Sequence, residues 1–236
     1  MRKIITYFSK LEITLWLLSV MSILASFFLC DRTNYLTLIA SLIGVTSLIF
    51  NAKGNPVGQC LMVIFSLLYG VISHSFAYYG EMITYLGMTM PMAILALISW
   101  LRNPFQGNRS EVKVNRIGGM EQIGMWIATG VVTGVFYVIL EHFHTANILP
   151  STLSVTTSFL AVYLTFRRSP FFALAYAAND IILIVLWVLA GITDPRYIAV
   201  VVCFMAFLAH DIYGFINWQK MQQRQARSTT ATAPNK

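Results

Sequence analysis

The sequence predicts an all-α polytopic membrane protein with eight transmembrane helices: one N-terminal helix and then a 3+1+3 core of parallel repeats. Three observations predict it. First, 57% of the 236 residues are hydrophobic and only 11% are charged, against about 25% charged in a soluble domain. Second, the apolar residues fall into eight uninterrupted runs, most within the roughly 17–25 residues that a helix needs to cross hydrocarbon. Only helices and closed barrels satisfy the backbone in lipid, and these runs are too long for barrel strands of about 9–11 residues. Third, the basic residues segregate to one side of the resulting topology.

The first run, Ile13–Leu29, follows a basic start as a signal peptide does. It is long for such a segment, and Phe27-Phe28-Leu29-Cys30 offers no small-residue cleavage site, so it reads as a retained helix. Tyr35–Phe50 is the shortest run. Val57–Phe76 opens after Pro56, at the one helical turn where a missing N–H costs nothing. Met82–Trp100 contains Pro91, which predicts a kink. Leu101–Gly119 is the longest connection and reads as a loop. Met120–Leu140, Ile148–Phe166, Phe171–Gly191 and Tyr197–Trp218 complete the set. The segment Gln219–Lys236 is rich in Gln, Thr, Ser and Ala and reads as a frayed tail. No stretch remains for a soluble domain.

The net charge of +7 is a matter of topology. With the N-terminus inside, Arg2, Lys3, Lys10, Lys53, Arg102, Arg109, Lys113, Arg116, Arg167, Arg168, Lys220, Arg224, Arg227 and Lys236 share the inner side. Only Arg32 and Arg196 lie outside. That bias is the positive-inside pattern, with both termini cytoplasmic and a plasma-membrane location, and it leaves no need for a nucleic-acid partner. Asp31, Glu81, Glu141 and Asp194 fall in outer loops. Cys30, Cys60 and Cys203 are isolated and form no disulfide or metal spacing. Glu141-His142-Phe143-His144 lacks further ligands and reads as an exposed loop. No cofactor and no metal is expected.

The chain repeats itself. Leu48-Ile49-Phe50-Asn51-Ala52-Lys53-Gly54-Asn55-Pro56 parallels Leu164-Thr165-Phe166-Arg167-Arg168-Ser169-Pro170. Ile98-Ser99-Trp100-Leu101-Arg102 parallels Ile216-Asn217-Trp218-Gln219-Lys220. Two landmarks agreeing in order and spacing favour a repeat over chance similarity. The domains are then 1–30, an extra N-terminal helix; 31–103, the first three-helix repeat; 104–145, a cytoplasmic loop and a linking helix; 146–220, the second repeat; and 221–236, a polar tail. Parallel repeats of this kind occur in transporters, with the substrate site at the repeat interface.

Asp180 and Asp211 are the only carboxylates well inside these runs. A charged group at mid-membrane is costly and marks a functional site by default. Each has a polar neighbour, in Asn179-Asp180 and His210-Asp211. Tyr176 and Asn179 share a helical face, as do His210 and Tyr213. Amide, phenol, imidazole and carboxylate together suit a neutral or weakly cationic ligand with rings. A structural role is open to each: Asn179 as glue between helices, the acids bonded to each other, to His210 or to a tyrosine. Gln59, Ser66 and Tyr69 are the counterparts in the first repeat. Trp100 and Trp218 read as interfacial anchors.

Tyr176-Ala177-Ala178-Asn179-Asp180-Ile181 and Asp211-Ile212-Tyr213-Gly214-Phe215-Ile216-Asn217-Trp218 closely resemble the PnuC family of bacterial nicotinamide riboside transporters. Leu48–Pro56 and Tyr78-Tyr79-Gly80-Glu81-Met82 resemble its first repeat. The resemblance covers the chain from about Tyr35. It implies a fold related to SWEET-type sugar transporters. It also implies facilitated diffusion (uniport) of a vitamin-like nucleoside, trapped inside by phosphorylation. It carries a ligand-binding asparagine onto Asn179 and a tyrosine onto Tyr213. A second asparagine falls on His210 by Asn-x-x-Tyr spacing, or on Asp211 counted back from Trp218. The expected Trp-x-x-Trp is Phe172 and Ala175 here, and Ala93 and Ala96 stand where a more polar Asn and a Gly are expected. The candidate substrate-binding set is therefore Tyr176, Asn179, Asp180, His210, Asp211, Tyr213, Gln59 and Tyr69. The expected partners are nicotinamide riboside and the lipid bilayer, and a homo-oligomer is compatible with the reading. Thiamine, riboflavin or another nucleoside is the alternative cargo. An intramembrane aspartyl enzyme is the rival class, but no Gly-x-Gly-Asp element accompanies either acid.

Overall fold

The computed structural model describes residues 7–30, 32–75, 78–145, 147–192 and 194–231. Arg2, Lys3, Asp31, Phe76 and Lys236 lie outside the described residues. Among those described, eight helices are long and apolar enough to cross a membrane. They are α1 (Lys10–Cys30), α2 (Tyr35–Ala52), α3 (Pro56–Ser75), α4 (Tyr79–Arg102), α5 (Gly119–His142), α6 (Ile148–Phe166), α7 (Phe172–Gly191) and α8 (Ile198–Ala231).

Local chemistry sets the ends. Ser9 and Glu12 form a capping box at the start of α1: Glu12 N–H donates to Ser9 Oγ at 3.2 Å, and Ser9 N–H donates to Glu12 Oε2 at 2.6 Å. Asn34 caps α2 by accepting from Thr37 N–H. In α4, Tyr85–Thr89 is a π turn directly ahead of Met90-Pro91. Pro91 has no N–H to give to the preceding turn, so the expected irregularity is realised as a π bulge rather than a simple kink.

The repeat is visible in the turns. Gly54 and Arg168 both take positive φ, 65° and 58°. Gly54 N–H donates to Asn51 O and Asn55 N–H to Phe50 O. In the second repeat Arg168 N–H donates to Thr165 O and Ser169 N–H to Leu164 O. The spacing between corresponding residues is constant along both turns. Arg168 adopts the left-handed conformation that glycine serves more cheaply in the first copy.

The two repeats grip each other reciprocally. Trp100 Nε1–H donates to Thr165 O and Trp218 Nε1–H to Asn51 O, at 2.9 and 2.8 Å. Ser99 Oγ–H donates to Phe166 O, and Asn217 Nδ2–H to Ala52 O. The last helix of each repeat thus bonds carbonyls at the end of the other repeat's first helix. Both tryptophans are fully buried, which corrects their reading as anchors in the lipid interface. Two other expectations change. Leu101–Gly119 contains a hairpin, β1 (Pro104–Phe105) and β2 (Asn108–Val112), turning at Gln106-Gly107. The segment after Trp218 is not frayed but continues α8 to Ala231. Met221 and Gln225 are buried there. Gln225 Oε1 accepts from Val114 N–H while its amide donates to Val112 O and Glu111 Oε1.

The helices pack as the core requires. α2 lies on α3 and α8, α4 on α3 and α6, and α7 on α6 and α8. The linking helix α5 rests on α6, and α1 on α8 and α2. Gly58 permits the close α2–α3 approach, since a Cβ there would lie 2.7 Å from Asn51 N.

Candidate binding site

Helices α2, α3, α4, α6, α7 and α8 converge on one enclosed pocket within the bundle. α7 contributes Tyr176, Asn179 and Asp180, on successive faces of one turn. α8 contributes Asp211 with Phe204 and Phe207, one and two turns away on the same side. Tyr85 and Thr89, at the two ends of the π turn of α4, both line the pocket. Met62, Phe65, Leu48 and Ser158 close it.

Asn179 is held with one end committed. Its Oδ1 accepts from Thr157 Oγ1 at 2.9 Å and from Ser158 Oγ at 3.1 Å. An amide also carries two donors, so the NH2 is what Asn179 offers to the pocket. Asp180, about 100° around the helix, lines the pocket together with Asp211 from the packed helices α7 and α8. Asp180 Oδ2 is buried without a partner among the described residues. The cavity measures about 20 Å³, room for about one water. A ring-bearing ligand therefore requires the surrounding helices to move apart.

Aromatic clusters seal the pocket at both ends. Toward one end, Tyr69 packs on Tyr85 (4.3 Å between centroids), Phe65 and Phe204, and its hydroxyl accepts from Trp187 Nε1–H at 2.8 Å. Trp187 continues the column to Tyr78 and Tyr197. Beyond the helices, burial first, then Tyr197 and Glu81, push the Tyr78 phenol above its ordinary pKa. At the other end Trp100, Trp218 and Phe172 pack edge-on or tilted against one another.

Of the eight candidate residues, Tyr176, Asn179, Asp180 and Asp211 come together in this pocket. The other four do not line it. Tyr69 stands just behind Tyr85 in the aromatic seal. Gln59 donates to Asn51 Oδ1 at 2.8 Å and ties α3 to α2. His210 and Tyr213 share a face, as expected, but that face is covered by α1. His210 Nε2 is 3.2 Å from Ser19 Oγ, and Tyr213 O–H donates to Glu12 Oε1 at 2.8 Å. Between the two positions for the second asparagine, the geometry puts Asp211 in the pocket and His210 outside it.

Sequence reasoning missed two buried carboxylates. Glu12 collects the α1 cap, Tyr213 and Lys53 Nζ at 3.2 Å. The Ser-x-x-Glu spacing at Ser9–Glu12 was the available signal. Glu81, expected in an outer loop, is only 2% exposed in the first turn of α4 and accepts from Ser154 Oγ. It was misplaced because the helix begins three residues before the apolar run does.

A family profile described as nicotinamide mononucleotide transporter matches residues 34–220. The chain belongs to that family. It is thus a multi-pass membrane transporter and not an enzyme. A relative from Neisseria mucosa, named nicotinamide riboside transporter PnuC, is 26% identical over 216 residues, covering 89% of this chain and 82% of its own length. A solved structure described as the crystal structure of the vitamin B3 transporter PnuC superposes with a TM-score of 0.81 at 22% identity. That match covers 92% of this chain and 94% of the other, and at that identity it establishes a shared fold. The profile match begins at Asn34, after α1 ends.

Proposed function

We propose that this chain takes up nicotinamide riboside by facilitated diffusion across the plasma membrane, with the basic end and both termini in the cytoplasm. Intracellular phosphorylation would trap the cargo and maintain the inward gradient. One observation carries the reading: the pocket sets the Asn179 amide and an acid pair against the rings of Tyr85, Tyr176, Phe65, Phe204 and Phe207. Nicotinamide riboside has a cationic aromatic ring, a carboxamide and ribose hydroxyls. The rings suit its pyridinium face, the acids its charge, and the Asn179 NH2 its carbonyl or hydroxyl oxygens. The name of the Neisseria relative supports the same ligand.

The pocket also discriminates within the family's name. No described lining residue is a cation, and a phosphate ester would meet two carboxyls in a low-dielectric space. The riboside is favoured over the mononucleotide. Calorimetric titration of purified protein with nicotinamide riboside, nicotinamide mononucleotide, thiamine and riboflavin tests this. Saturable binding of the riboside, with the mononucleotide at least about tenfold weaker, is expected from one unfavourable charge contact of about 1.4 kcal/mol or more. Preference for the mononucleotide, thiamine or riboflavin contradicts the reading.

A further inference from the structure

The acid pair poses a charge problem that ligand contact alone does not answer. Asp180 and Asp211 are 3% and 4% exposed. They line the same pocket from helices packed on each other, and two ionised carboxylates sharing one buried site repel, so one of them holds a proton. Asp180 lines the pocket, and its Oδ2 is buried without a hydrogen-bond partner among the described residues. Tyr85 from α4, Tyr176 from α7 and Cys203 from α8 are the titratable groups facing the pair. α2, α3 and α6 contribute Leu48, Phe65 and Ser158, so no described element supplies a cation. His210 is turned to α1.

An isolated charge at this depth costs several kcal/mol, and a carboxyl placed there takes a proton instead. With one shared proton the pair still carries one negative charge. In the closed pocket a second proton brings it to zero, and a monovalent cation in place of that proton does the same. We propose that the Asp180–Asp211 pair exchanges one proton for one monovalent organic cation, so that the pocket is electrically neutral both with and without cargo. As the cation seats, one carboxyl O–H bond breaks and its proton passes to the adjoining solution. The remaining proton stays bridged between the two acids. When the cation leaves on the other side, a proton from that side restores the pair. Each cation carried inward then moves one proton outward, which refines uniport into an electroneutral exchange. The identity of the cation rests on the proposed function; the exchange rests on the pair.

Titration calorimetry of nicotinamide riboside into the purified full chain, in buffers of differing ionisation enthalpy, counts the protons. About one proton released per cation is expected. The affinity then rises with pH, about tenfold per unit while the pair holds two protons, because the form that binds has lost one. The double variant Asp180→Asn/Asp211→Asn removes the release and flattens the pH dependence. Riboside binding with no proton exchange overturns the inference and leaves the substrate reading standing. If the riboside does not bind, the substrate reading falls and infrared difference spectra of ligand-free protein decide the inference. A protonated-carboxyl stretch at neutral pH that the double Asn variant loses supports it, and its absence from the wild type overturns it.

Discussion

At the residue scale, neighbouring polar residues divide their work by helical face. His210 and Asp211 are adjacent, yet one is bonded to α1 and the other lines the pocket. Periodicity shows which residues share a face, and it grouped His210 with Tyr213 correctly. It does not show which neighbour that face meets. An additional helix outside the repeat decides that here. The pair Asn179-Asp180 was more legible, since both its members reach the same pocket from successive faces. Tyr213→Phe should remove one of two donors to Glu12 Oε1 and leave it Lys53 Nζ. The expected effect is a loss of about 1–3 kcal/mol in stability, because a buried charged acceptor loses a partner. Thermal denaturation in detergent measures it, and riboside affinity in the same variant should change by less than about threefold. A large affinity loss without destabilisation would return Tyr213 to the ligand shell.

At the element scale, the reciprocal tryptophans define how the repeats are joined. Trp100 and Trp218 each cover a helix end belonging to the other repeat. Trp100→Phe and Trp218→Phe keep the ring and remove the donor, so each should cost roughly 0.5–2 kcal/mol. Matched losses in denaturation midpoint are expected, and a loss confined to one variant would argue against equivalent roles. For these residues, composition and position suggested lipid. Burial was not legible because it depends on the partner repeat's carbonyls. The extension of α8 was hidden in the same way. Its overall polarity suggested a tail, whereas Met221 and Gln225, four apart on one face, dock on the hairpin. Gln225→Ala should leave Val114 N–H and Val112 O unpaired and loosen that contact. Limited proteolysis within 104–118 should be at least about fivefold faster, in line with a loss of about 1 kcal/mol or more.

At the scale of the whole molecule, the eight spans were legible because lipid demands long apolar helices and leaves few alternatives. The extra N-terminal helix followed from that count. The closed state was not legible, because it arises from aromatic side chains of several helices packing at the two ends of the pocket. Two repeats joined by reciprocal ties around a closed pocket suit rocking of one against the other. The proposed orientation has its own test, in a background lacking the exposed Cys60. Asn108→Cys in the hairpin should react with an impermeant thiol reagent only in opened cells, and Thr33→Cys should react in intact cells. The reverse pattern would invert the topology.

The most direct measurement of the central claim is uptake of labelled nicotinamide riboside into liposomes containing the purified protein. Wild-type protein should carry the riboside saturably and exclude the mononucleotide. Asn179→Ala should lower uptake at subsaturating riboside about 10–100-fold, the effect of about 1.4–2.8 kcal/mol, while folding and inserting normally. No protein-dependent riboside flux, or undiminished flux in Asn179→Ala, would contradict the account.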